Sequence, residues 1–124
     1  MLRFHALIHR NDGGKPAALA VSFEQAVAAL EKLPRMYIEP DGSFVWAQKA
    51  ADGAEWQVDG NLLDAGASLS HVEISGRCPS ESLDELLAAL GWPDSALLFQ
   101  LPRRGDFFDE AAFRALAASL EGAI

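Results

Sequence analysis

"EWQVDGNLLD", Glu55 to Asp64, is the stretch on which the fold of this 124-residue chain turns. Read as one strand it alternates: Trp56, Val58, Gly60 and Leu62 fall on one face, and Gln57, Asp59, Asn61 and Leu63 on the other. Read as two strands, Asp59-Gly60 becomes the tip of a two-residue hairpin, for which that dipeptide is a strong signal. The period-two register runs unbroken through Asp59-Gly60, so the expectation is a single long strand. Gly60 then marks a bulge or a close approach by another backbone.

Working outward, "MYIEPDGSFVWAQ" (Met36 to Gln48) supplies the preceding strands. Pro40 pre-sets φ for the first corner of a turn, Asp41 suits the second, and Gly42 takes the left-handed conformation of a three-residue hairpin. A hard cation needs several convergent oxygens, and one Asp beside Pro and Gly supplies too few. Glu39-Pro40-Asp41-Gly42-Ser43 is therefore read as a turn and not as an acidic site. Asp52-Gly53 and "DAGAS" reverse the chain again. "LSHVEISG" follows with Val72 and Ile74 inward and His71 and Glu73 outward. Connections this short make consecutive antiparallel strands, a meander.

The flanks complete the pattern. In "LRFHALIHR" Leu2, Phe4, Ala6 and Ile8 face one way and Arg3, His5 and His9 the other, as in a half-buried strand. Ser22 and Gln25 form a capping box ahead of a helical stripe of Phe23, Ala26, Val27, Leu30 and Leu33, which Pro34 stops. Ser82 and Glu85 form a second box, before Leu83, Leu86, Leu87 and Leu90, with Gly91 as C-cap. "ALLFQL" (Ala96 to Leu101) reads as a strand buried on both faces. Asp109 caps a last helix bearing Ala112, Phe113, Leu116 and Leu120, with Gly122 past its end. The expected fold is α+β, one domain over residues 1–124: a mostly antiparallel sheet with about three helices on one face. Its strands are the N-terminal one, the central meander and one late strand.

Composition bounds the function. A formal charge of −8 and a pI near 4.7 disfavour nucleic acid and anionic lipid as partners. The opening residues lack the apolar run of a signal peptide, and no segment approaches the length of a membrane span. Cys78 is the only cysteine, which excludes an internal disulfide and fits a reducing cytoplasm.

Few residues offer chemistry. Cys78 precedes a helix start, which favours thiolate, and His71 and Glu73 share a strand face about 7 Å apart at ~3.3 Å per residue. "GRCPSES" nevertheless matches no nucleophile signature, and a lone cysteine is commonly a small buried apolar residue. His5 and His9 point the same way about 13 Å apart at ~3.3 Å per residue, too far to share one metal. Asp59, Asn61 and Asp64 lack calcium-loop spacing, and neither Gly13-Gly14-Lys15 nor Arg103-Arg104-Gly105 sits in a phosphate-loop motif, so no metal or cofactor is expected. Tyr37, Phe44, Trp46 and Trp56 are either core or, if exposed, an interface. The expected function is a non-catalytic binding or regulatory module with an acidic surface, whose partner is another protein or a second copy, and a basic or neutral partner suits that surface better than an acidic one. The alternative is a small cysteine-dependent enzyme using Cys78 with His71 and Glu73.

Overall fold

The computed structural model describes residues 1–119. In chain order the elements are β1 (Leu2–Asp12), β2 (Lys15–Ala17), α1 (Phe23–Leu30), β3 (Met36–Ile38), β4 (Ser43–Lys49), β5 (Glu55–Ala65), β6 (Ser68–Cys78), α2 (Ser80–Ala88), β7 (Leu97–Gln100), β8 (Phe107–Asp109) and α3 (Glu110–Ala118). They form an α+β fold. One sheet runs β3-β4-β5-β6-β1-β7-β8, with β2 paired to β1 off that path, and every pairing is antiparallel. Because β6 and β7 both lie antiparallel to β1, they run parallel to each other, and the connection through α2 passes over β1.

Glu55 to Asp64 is a single strand, and Asp59-Gly60 is not a turn. The reason for Gly60 differs from both expectations. The register is continuous there, and the irregularity falls instead between Leu63 and Asp64. What approaches Gly60 is the ring of Phe44, its cross-strand partner: a Cβ at Gly60 would lie 2.0 Å from Phe44 Cζ. A glycine opposite a phenylalanine gives the ring a place to lie across the backbone.

The predicted hairpin is present. Glu39 N–H donates to Ser43 O, Gly42 N–H donates to Glu39 O, Gly42 sits at φ 92°, and Asp41 Oδ1 accepts from both Ser43 N–H and Ser43 Oγ. Those two bonds hold the Asp41 carboxyl below its usual pKa. Asp41 stabilises the turn it belongs to.

Two short strands escaped the sequence reading. β2 and β8 have three residues each, too few to show alternation, so the late part of the sheet contains two strands and not one. β7 is buried as expected, with Leu97, Leu98 and Phe99 all inaccessible.

The core lies between the sheet and the helices. Phe4, Ile8, Trp46, Val58, Leu62, Val72 and Ile74 come from the sheet, and Ala26, Leu30, Leu83, Leu86, Leu87 and Phe113 from the helices. The Ser22–Gln25 capping box forms with both reciprocal bonds. α2 starts earlier than its sequence box implied. Pro79 is the N-cap and makes no side-chain cap bond, while Ser80 Oγ accepts instead from Arg114 on α3. Asp109 caps α3 through Ala112 N–H, and the buried residues of that helix are Phe113 and Ala117; Leu120 and Gly122 lie outside the described residues. Phe113 stacks on Phe99 at 4.2 Å between ring centres.

Candidate functional site

The structure does not bring Cys78, His71 and Glu73 together. Along β6 the side chains of Val72, Ile74 and Cys78 are buried with the core, whereas His71 and Glu73 lie on the opposite, open face. Burial pushes the Cys78 thiol up to about 12, against a smaller opposing pull from Arg114. Such a thiol is neutral and enclosed, which is the environment of a packing residue.

Of the four aromatic interface candidates, three are core. Phe44, Trp46 and Trp56 are 3%, 0% and 4% exposed, and the two indoles meet edge to face at 4.9 Å. Trp46 Nε1–H donates to Pro34 O, which satisfies its polar atom. Tyr37 alone is on the surface, at 64% exposure, opposite Val45 across the strand pair. Glu39, close to the Tyr37 hydroxyl, raises the phenol above its ordinary pKa.

All three histidines sit on the open face, and strand pairing gives them partners that spacing along one strand could not reveal. His5 Nε2 bonds Glu73 at 2.7 Å, and His9 Nε2 bonds Gln100 at 3.0 Å. His9 also stacks on His71 at 5.3 Å. Burial, then the nearby His9, hold His71 below the ordinary imidazole pKa, while Glu73 acts in the opposite sense. No group of three or more metal-ligating side chains occurs among the described residues.

The prominent feature of the open face was not anticipated. A groove of about 860 Å³ crosses β4, β5, β6 and β1, and Arg3, Arg35, Lys49, Arg77 and Arg103 line it. These are five of the ten lysines and arginines in the chain. All five are exposed. Glu55 is the one carboxylate in the lining, Gln48, Gln57 and Ser75 add uncharged polar atoms, and His5 adds its imidazole.

The register explains the concentration. Arg3 on β1 is the direct cross-strand partner of Arg77 on β6, Arg77 in turn opposes Gln57 on β5, and Gln57 opposes Ala47 on β4. Like charges directly opposite on adjacent strands repel. No compensating carboxylate is within ion-pairing distance of any of the five cations among the described residues, although Arg104 pairs with Asp106 and Arg114 with Asp84 and Glu110. Arg77 is held in place by donating to Glu55 O at 2.8 Å. Gly76, also in the lining, has φ 134°, and a Cβ there would stand 2.1 Å from Gln57 O, so no side chain fits.

The sequence carried half of this signal, since Arg3 and Arg77 both fall on the polar side of their strands. Only the pairing of β1 with β6, 74 residues apart at this position, places them side by side.

No protein-family model, curated protein or solved structure matches the chain. No helix among the described residues is long and apolar enough to cross a membrane.

Proposed function

We propose that this protein is a non-catalytic binding module that holds an anionic ligand in the groove across β4, β5, β6 and β1. The carrying observation is the concentration of unpaired cations. Five cations and one carboxylate give the groove a formal charge of +4, so a chain of net charge −8 carries −12 everywhere else. An arginine pair set face to face costs stability unless something negative lies between. Arginine also presents the forked donors that suit carboxylate and phosphate oxygens.

Calorimetric titration with tripolyphosphate as a simple multivalent anion tests the reading. Saturable binding is expected at low ionic strength, weakening as salt is added, since exposed charges are screened over about 10 Å at 0.1 M salt. The Arg3→Glu/Arg77→Glu double variant, checked for an intact thermal transition, should lose it. No binding by the parent at low salt, or equal binding by the folded double variant, would overturn the proposal.

A further inference from the structure

We infer that the groove takes a short, extended acidic segment of another protein, with an apolar residue of that segment seated on Tyr37 and Val45. This rests on the anion-binding reading above and names its partner.

The first argument is the spread of charge. The row from Arg3 across β6 and β5 to β4 covers three inter-strand steps, about 14 Å at ~4.8 Å each. Lys49 stands on the β4 side of the groove, while Arg3 and Arg77 stand together on the β1 and β6 side. A compact anion can meet one side only. An extended peptide places alternate side chains about 7 Å apart at ~3.3 Å per residue, so carboxylates at every second position reach both sides.

The second argument is the lining between the cations. Ser75 and Gln48, and the amide oxygen of Gln57, whose nitrogen donates to Asp59 at 2.8 Å, offer uncharged polar groups to a peptide backbone. Single-stranded nucleic acid is held largely by successive bases stacked on exposed rings, and the lining offers none, since Phe4 and Trp56 are each only 4% exposed; Tyr37 at the edge supplies a single ring. A long polyanion would also run from the groove onto a surface of opposite preference, because the remaining charge is −12 in formal terms. A short segment ends before that repulsion begins.

The third argument is at the edge. Tyr37 and Val45 are cross-strand partners on the open face, 64% and 39% exposed, and Arg35 of the groove lies two residues before Tyr37. Asp59 opposes Val45 on β5 and Glu39 stands near the Tyr37 hydroxyl, so this end of the site repels a further carboxylate and suits an uncharged leucine or similar side chain at one end of the acidic segment.

The test is fluorescence polarisation with four probes: a labelled peptide alternating glutamate and serine with a terminal leucine, the same peptide with glutamine for glutamate, an oligothymidylate of eight nucleotides, and tripolyphosphate as competitor. The glutamate peptide is expected to bind at least tenfold more tightly than each of the others. Lys49→Glu should weaken it about tenfold, and Tyr37→Ala about threefold for the leucine-bearing peptide but not for one ending in serine. Both positions are exposed, and an unchanged melting temperature confirms that the variants fold. Equal or tighter binding of oligothymidylate or tripolyphosphate would overturn the peptide assignment and leave the anion-binding groove standing. Failure of all four probes to bind would overturn both.

Discussion

Gly60 carries the whole meander on the absence of one carbon. The Phe44 ring occupies the space a Cβ would need, with Phe44 Cζ, Cε2 and Cε1 at 2.0, 2.2 and 2.6 Å. Gly60→Ala should therefore displace a ring that is 3% exposed and cost about 1–3 kcal/mol, the usual range for overpacking. Gly53→Ala is the control, because nothing lies within 4 Å of that position and only its positive φ opposes the change. In urea melts, pairing Gly60→Ala with Phe44→Leu should cost less than the sum of the two single changes. Strict additivity, or a Gly60→Ala midpoint equal to that of the parent, would refute the stacking of Phe44 on Gly60. At this scale the sequence was half legible: alternation showed that Gly60 faces inward, but the partner that needs the space lies 16 residues away. The turn at Gly42 was legible from Pro40 and Asp41 beside it, but the crowding that also demands a glycine there was not, since a Cβ would lie 2.8 Å from Leu62 O and from Phe23 Cε2.

At the scale of elements, helix placement depends on Arg114. From α3 its guanidinium donates to Glu110 one turn earlier, to Asp84 on α2 at 2.5 Å and to Ser80 Oγ at 3.0 Å, and it lies 5.3 Å from the ring centre of Trp92. Only 17% of that side chain is exposed, so these bonds work in a partly dry setting. Arg114→Ala should cost about 2 kcal/mol, as charged hydrogen bonds are worth roughly 1.5–3 each and solvent re-enters the gap. Arg114→Lys should recover less than half, since one ammonium cannot span three acceptors on two helices. Thermal melts of the two variants check this, and an alanine variant that melts with the parent would remove Arg114 as the link between α2 and α3. α2 starts earlier than its sequence box because Pro79 O already accepts from Ser82 N–H and Leu83 N–H. Ser82-x-x-Glu85 is a legal capping box, yet the helix begins at Ser80, where Arg114 supplies a bond that local sequence does not announce. Ser22-x-x-Gln25 forms as read because both halves of its box are local.

For the molecule as a whole, the groove sets stability against binding. Arg3 faces Arg77 without a carboxylate between them, so Arg3→Thr should raise the melting temperature slightly at low salt, by the few tenths of a kcal/mol typical of a cross-strand pair. The gain should shrink as salt screens the repulsion, while affinity for the acidic peptide falls. A lower melting temperature for Arg3→Thr at low salt would show that the arginine pair is not under repulsion. What the sequence determined by itself is what short range decides: alternation located the long strands, turn chemistry the reversals and helical stripes the buried faces, because each depends on neighbours within a few residues. The tertiary structure alone decided which strands adjoin. The extension of β6 to Cys78 put that thiol on the face opposite His71 and Glu73, pairing β1 with β6 stacked His9 on His71 and set Arg3 against Arg77, and the whole sheet gathered these and three more cations into one groove. Register is a long-range property. Every side chain it juxtaposes is invisible to a reading that follows the chain, and in this protein the candidate binding site consists of such side chains.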